Sequence, residues 1–334
     1  MAPQIWFFHY WAKATCALYF RVVIREGFED HQNHKQPTRP RLYVLNHTNS
    51  FLDPVLFAVQ RRQSLYFLAR GDVLFGFAWG LLPRIFPLLP VWRRREGQVH
   101  LKGNFSTFER CFEVWKKGGA VVIFSEGLCE NRPGLKPLLK GTARLVWEAH
   151  ARGLDLEVVP VGVCYEHYHG TGKAARVCLG TPLAWRPLAE RPSSPAHFYQ
   201  SFNAALAPAM AACMVDPLEQ GTAAKYWSDL PPISRWQRII RLLSRFLHAP
   251  ILFPMRKLAQ TLTQGTVHFD SIYFVVLMLA YPILLILLFV LGTLFFPMYA
   301  LIISMCVALL PAISLINTDN FDFPTVFQSQ KTLK

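Results

Sequence analysis

The stretch VLNHTNSFLDPVLF, residues 44–57, sets His47 and Asp53 between two apolar runs, with five residues separating them. An imidazole, with a reference pKa near 6.5, can take and return a proton at neutral pH. A carboxylate on its second nitrogen would fix the tautomer and stabilise the imidazolium. On a continuous helix, six steps of about 100° would leave the two side chains about 120° apart. The pair therefore needs a non-helical turn. Asp53-Pro54 suits such a junction, because Asp is favoured at a helix N-cap and Pro at the first helical position. A helix over Pro54–Arg61 is predicted. Taken singly, Asp53 also fits a plain cap, and His47 a hydrogen-bonded strand-end residue.

Positioning this pair falls to the elements around it. Between about residues 40 and 185, the runs RLYVLNH, SLYFLAR, AVVIFSEG, LEVVPVGVCYE and ARVCLG read as strands. Residues 105–117, 138–152 and 195–214 carry apolar side chains at three- and four-residue intervals and read as helices. The alternation predicts an α/β domain, a mixed sheet covered by helices, over residues 40–230. Ligands in such folds gather at the carboxyl ends of the strands. Three polar punctuations fall there: Asn46-His47, Arg70-Gly71-Asp72 and Ser125-Glu126-Gly127.

Flanking segments point to a membrane. The 334-residue chain is 52% hydrophobic with a net charge of +14, a basic excess that suits nucleic acid or anionic lipid. Long uncharged stretches decide for lipid and against nucleic acid. No Asp, Glu, Lys or Arg occurs from Ser271 to Thr318, more than one crossing of about 20 residues requires. Gly292 and Pro297 supply a break. Two transmembrane helices are predicted, Ser271–Leu291 and Phe296–Ile316, forming a hairpin within residues 266–318 and followed by a polar tail, 319–334. Arg256 and Lys257 before it, and Lys331 and Lys334 after it, favour both ends, and the catalytic domain, on the cytoplasmic face. Residues 231–265 alternate Arg with Ile and Leu at helical spacing and read as a basic amphipathic helix on anionic lipid. The aromatic N-terminus, residues 1–39, reads as an interfacial helix region or a buried structural helix, without the marks of a signal peptide. None of the seven cysteines forms a C-x-x-C pair, so reduced thiols are expected. The run EHYH, residues 166–169, lacks a third ligand, and no metal is assigned.

Further segments follow in order: FLARGDVLF (67–75), LPVWRRREG (89–97), IFSEGLCENRPGLKPLLKGTARL (123–145) and VVPVGVCYE (158–166). The series resembles the phospholipid/glycerol acyltransferase superfamily over roughly residues 40–170. Its histidine–aspartate block, usually with four intervening residues, matches HTNSFLD with five, a spacing some members share. Its strand-end arginine matches Arg93, its FPEG block matches Phe124–Gly127 with Ser125 in place of proline, and its proline strand matches VVPVG. Cys129 stands where the family often has an arginine, leaving Arg132, Lys136 and Lys140 as candidate replacements.

The resemblance implies transfer of a fatty acyl group from acyl-CoA or acyl-carrier protein to the hydroxyl of glycerol 3-phosphate or a lysophospholipid, with no cofactor. His47 would be the general base and Asp53 its partner. The acceptor's own hydroxyl would be the nucleophile, so no protein serine is needed. Asn46 or a turn amide would stabilise the oxyanion. Arg70, Arg93 and Lys136 would serve the acceptor phosphate, and Ser125, Glu126 and Gly127 would shape its pocket. Two other classes remain: a lipid hydrolase, disfavoured because no G-x-S-x-G elbow exists, and a non-catalytic lipid-binding protein on the same fold.

Overall fold

A computed structural model of the chain describes residues 19–27, 39–61, 63–71, 87–92, 103–190, 194–215, 235–264 and 266–295, with isolated residues 9, 11–13, 15, 16 and 227. Seven strands form one sheet: β1 (Phe20–Gly27), β2 (Arg41–Leu45), β3 (Leu65–Arg70), β4 (Leu88–Val91), β5 (Ala120–Phe124), β6 (Glu157–Tyr165) and β7 (Lys173–Leu179). Their spatial order is β1-β7-β6-β2-β5-β3-β4. Only β6 and β7 pair antiparallel; the other neighbours run parallel. The sheet is therefore mixed, as anticipated.

The central strand β2 is buried along its whole length, which is why RLYVL reads as a nearly continuous apolar run. Its alternate side chains supply two cores. Tyr43 and Leu45 face α1 (Leu52–Ala58) and one apolar cluster; Leu42 and Val44 face the other. The second cluster is covered by α2 (Gly103–Lys116), α3 (Lys140–Ala151) and α5 (Pro195–Ala211), with the short α4 (Arg186–Glu190) at its rim. Three helices thus stand close to where the periodicity puts them. Arg41, buried at the base of β2, is neutralised by Glu157 at 2.5 Å.

Residues 20–27, read from sequence as part of an N-terminal helical region, instead form an edge strand beside β7. The adjacent Val23 and Ile24 are both buried and Arg25 is half-buried, a run too short for its periodicity to separate strand from helix.

The long helices α6 (Arg235–Leu262) and α7 (Phe269–Phe295) pack against each other. On α6 Trp236, Leu242, Leu243, Phe246 and Phe253 are exposed, while His248 and Ala259 are buried. The first turns of the predicted transmembrane helix Ser271–Leu291 pack into the protein. Phe269, Tyr273, Phe274, Leu277 and Met278 of α7 belong to the apolar core that contains Tyr43 and Leu45. Outward apolar exposure begins only at Leu279 and continues through Ile283, Ile286, Leu287 and Leu294. From Leu279 to Leu294 the rise is about 24 Å at about 1.5 Å per residue, less than a hydrocarbon core of about 30 Å. Among the described residues no helix is long and apolar enough to cross a membrane. The second predicted helix, residues 296–316, and the tail lie outside the described residues.

Candidate active site

β2 ends at Leu45 in register with Phe124 of β5 and Val161 of β6. β2 and β5 thereby end together at one edge of the sheet, while β6 runs on past them to Tyr165. Asn46 is fully buried there, its amide donating to Val163 O (2.9 Å) and accepting from Val163 N (2.7 Å). Asn46 fastens the start of the turn to β6, a positioning task rather than the oxyanion contact that the sequence suggested.

Past Asn46 the chain turns. Ser50 takes a positive φ of 40°, uncommon for a residue with a Cβ and sustained only where surroundings hold it. The helix α1 begins at Leu52, before Pro54, and no side chain caps it. Asp53 is therefore not a cap. Lying inside the first helical turn, it points back into the preceding loop, where Oδ2 accepts from Thr48 N (2.9 Å), Asn49 N (2.8 Å) and the His47 ring at Nδ1 (2.9 Å). Oδ1 accepts from the Tyr165 hydroxyl at 2.8 Å. Asp53 is fully buried, whereas the His47 side chain keeps 21% of its surface. Backbone amides only donate, so Oδ2 is an acceptor, and Nδ1 carries the hydrogen it shares with Oδ2. The lone pair is left on Nε2. Burial, then the negative charge of Asp53, pushes the Tyr165 phenol well above its usual range, so it stays a donor.

A second layer supports the histidine. Its ring lies against Phe124, centroids 4.3 Å apart. Its backbone N–H donates to Glu126 Oε2 (2.7 Å), and its carbonyl accepts from Lys136 Nζ (2.6 Å). Glu126 also takes Lys136 N (2.9 Å) and stands 3.0 Å from Lys136 Nζ. Both side chains are buried. The geometry thus gives Glu126 and Lys136 a common role, clamping the His47 backbone to the loop after β5. Ser125 is buried too, its hydroxyl 2.5 Å from that of Thr142. Gly127 has φ 65°, and a Cβ there would meet Leu139 at 2.3 Å, so only glycine fits. Cys129, where the resemblance suggests arginine, accepts from Ser50 N at 2.9 Å and closes the same turn. Burial first, and Asp53 next, pushes its thiol up to about 12.

Residues 27–164 match the family model described as Acyltransferase. The His47–Asp53 turn falls inside the matched residues. No curated protein matches the chain. Among solved structures, the 1-acyl-sn-glycerophosphate (LPA) acyltransferase PlsC from Thermotoga maritima is similar at 15% identity and a TM-score of 0.43, covering 62% of this chain and 78% of that one.

Other residues singled out in the sequence fall at varying distances from the pair. Arg70 is exposed at the end of β3. Continuing the register of Phe67 with Val122 sets Arg70 level with Ser125, one strand from β5 and two from β2. Two strand spacings amount to about 10 Å. Arg93 lies outside the described residues. Arg132 is exposed and paired with Glu130 at 2.7 Å, and Lys140 is exposed on the first turn of α3. The run at 166–169 is taken up locally: Glu166 accepts from Ala174 N, and His169 stacks on Phe269.

Sequence reasoning missed four contributors: Tyr165, Lys173, His268 and Asp270. Tyr165 was hidden at the end of an apolar strand. Lys173, fully buried on β7, pairs with Asp270 at the start of α7; burial lowers its pKa against the opposing pull of Asp270. His268 sits just before α7, and burial, then coulombic interaction with His47 and Arg70, lowers its pKa. Asp270 and His268 could be suspected only from their position beside a long uncharged run.

Proposed function

We propose that this acyltransferase moves a fatty acyl group from acyl-CoA or acyl-carrier protein to the hydroxyl of glycerol 3-phosphate or a lysophospholipid, with His47 as general base. The observation that carries the reading is the buried Asp53, which takes the Nδ1 hydrogen and leaves Nε2 as the basic nitrogen of a side chain that keeps part of its surface open. The acceptor hydroxyl gives its proton to Nε2 as its oxygen attacks the thioester carbonyl. The tetrahedral intermediate collapses, the sulfur–carbon bond breaks, and the imidazolium returns the proton to the leaving thiolate. Asp53 stabilises the imidazolium between these steps. Arg70, with Arg93, holds the acceptor phosphate by charge-assisted bonds.

The domain works at a membrane, with its active site on the cytoplasmic face. The exposed apolar side chains of α6 stand among exposed Arg235, Arg238, Arg256 and Lys257, a combination suited to anionic lipid. The apolar outer half of α7, together with the uncharged sequence at 296–318, is the part of the chain proposed to enter the lipid.

The test is incubation of the purified full chain with labelled acyl-CoA, or acyl-carrier protein, and a panel of acceptors. Product that requires both donor and acceptor supports transfer. Free fatty acid without an acceptor would indicate a hydrolase, and absence of turnover a lipid-binding protein. His47→Ala should lower turnover at least about a hundredfold with folding intact; wild-type turnover in that variant would sink the mechanism.

A further inference from the structure

The first turn of α7 is hydrogen-bonded into the loop that joins His47 to Asp53. Ser271 Oγ donates to Asn49 O (2.8 Å) and accepts from Leu52 N (3.1 Å), bridging the two ends of the strained segment that contains Ser50. Asp270 Oδ2 accepts from the Asn49 side chain at 3.1 Å and from Lys173 Nζ. Its Oδ1 accepts from Tyr19 OH and Gly170 N, both at 2.8 Å. Asn49 is the same residue whose backbone N–H holds Asp53. Lys173 lies over the ring of Tyr165 at 5.1 Å, and Tyr165 bonds the other oxygen of Asp53. Both oxygens of Asp53 are therefore reached from Asp270, one through Asn49 and the other through Lys173 and Tyr165. All these side chains are buried.

We propose that Asp270 and Ser271 are positioning residues for the His47–Asp53 pair, so that the proton-transfer geometry is assembled by the base of the membrane-facing helix. Neither residue touches substrate. They act by holding the 49–52 backbone in a conformation that its own sequence does not favour, since Ser50 carries a positive φ and α1 lacks a side-chain cap. The consequence reaches α7: whatever orders or displaces its outer apolar half is felt at the histidine turn, because one helix carries both Asp270 and the exposed segment, with Pro282 the single interior proline between its ends. This inference rests on His47 acting as base for its kinetic readout, but not for its spectroscopic one.

Ser271→Ala removes both bridging bonds and little volume; Ser271→Thr keeps the hydroxyl. Asp270→Asn is a second, isosteric variant that turns one acceptor oxygen into a donor facing donors. Each is made in the full chain and assayed with labelled acyl-CoA against glycerol 3-phosphate and lysophosphatidate. Ser271→Ala and Asp270→Asn should lose about ten- to a hundredfold in kcat with acceptor and donor KM nearly unchanged, the scale of a misplaced catalytic group, and Ser271→Thr should recover most of it. In 15N-histidine spectra the His47 Nδ1–H bonded to Asp53 should be protected from exchange in the wild type and in Ser271→Thr, and exposed in the other two. An Nδ1–H signal retained in Ser271→Ala and Asp270→Asn overturns the inference, whatever happens to melting temperature. A lost signal with undiminished turnover upholds the positioning role and instead sinks His47 as base.

Discussion

Replacing Asp53 by asparagine separates the two services that a carboxylate gives to a histidine, because here the surrounding donors decide how the amide must lie. Three donors converge on Oδ2, two of them backbone N–H groups that cannot reverse, while Oδ1 meets one hydroxyl. An asparagine placed with its oxygen toward Thr48, Asn49 and His47 keeps all three bonds, and its NH2 donates to the Tyr165 oxygen. The flipped orientation would press an NH2 against three N–H groups in a fully buried site. The unflipped form therefore prevails, and Nδ1 of His47 still donates. The histidine tautomer survives, unlike that in serine-protease triads, where the same substitution imposes the wrong tautomer and costs about 10⁴ in kcat. What disappears is the charge facing the imidazolium. Charge-assisted bonds contribute about 1.5–3 kcal/mol against about 0.5–1.5 kcal/mol for neutral ones. The difference, about 1–2 kcal/mol, corresponds to a loss of roughly five- to thirtyfold in kcat. Asp53→Ala behaves differently: it strands two buried amides and a phenol, at about 1–3 kcal/mol each, and should show a large drop in melting temperature. The assay is kcat at saturating donor and acceptor for Asp53→Asn, Asp53→Ala and His47→Ala, with thermal denaturation of each. If Asp53→Asn falls as far as His47→Ala while melting normally, the donor geometry does not fix the tautomer and the reasoning is refuted.

Breaking the buried Glu126–Lys136 pair through Lys136→Met should destabilise by about 3–5 kcal/mol, since the remaining carboxylate has little access to water; chemical denaturation measures it, and a change under 1 kcal/mol would contradict the clamp. Gly127→Ala, at a positive φ and against Leu139, should also destabilise, by more than about 1 kcal/mol in the same experiment. Cys129 should resist iodoacetamide near pH 8, because a thiol raised to about 12 holds almost no thiolate there; rapid alkylation would place it in a different environment. His268 has a lowered folded pKa, so the unfolded chain takes up its proton first as the pH falls below 6.5, and stability should drop in that window. Titrating the melting temperature of His268→Gln against the wild type should show a flatter response; identical profiles would argue against it. Arg70→Ala should raise acceptor KM about tenfold or more and leave donor KM nearly unchanged, whereas equal effects on both would indicate general electrostatic steering.

The sheet and the His47–Asp53 turn were legible because both obey local rules. Parallel strands buried on both faces are uninterrupted apolar runs, and a histidine, a carboxylate and a proline at a strand-to-helix junction admit few geometries. Tyr165 was not legible, since its hydroxyl meets Asp53 across 112 residues of sequence and nothing in VVPVGVCYE distinguishes it from a core aromatic. Glu126 and Lys136 were found as residues of the site but with a different task. A charged pair in a loop looks the same from sequence whether it faces a ligand or is buried against a backbone carbonyl. Cys129 illustrates the reverse case: the missing arginine left a question about phosphate binding, and the thiol turns out to close the Ser50 turn instead.

The charge-free run after Asp270 shows most clearly where hydropathy ceases to discriminate. A helix packed into a protein core and a helix facing lipid both exclude charge, so Ser271–Leu291 reads as one membrane segment although its first turns pack beside β1 and α1. The discriminating mark was a polar one. Asp270 and Ser271 end the charged sequence at the point where a membrane border would also lie, but border residues face water, and these two are buried among Tyr19, Asn49 and Lys173. A buried carboxylate with four donors is costly to place unless every donor is satisfied, and such a site tolerates little displacement. The helix that presents an apolar face outward is therefore pinned, at its other end, to the backbone that sets His47 against Asp53. A truncation before residue 266 should consequently do more than weaken membrane binding. Flotation with anionic vesicles should still recover part of the truncated protein through α6, while turnover normalised to bound protein should fall at least tenfold. Undiminished turnover per bound molecule would show that the helix serves as an anchor alone.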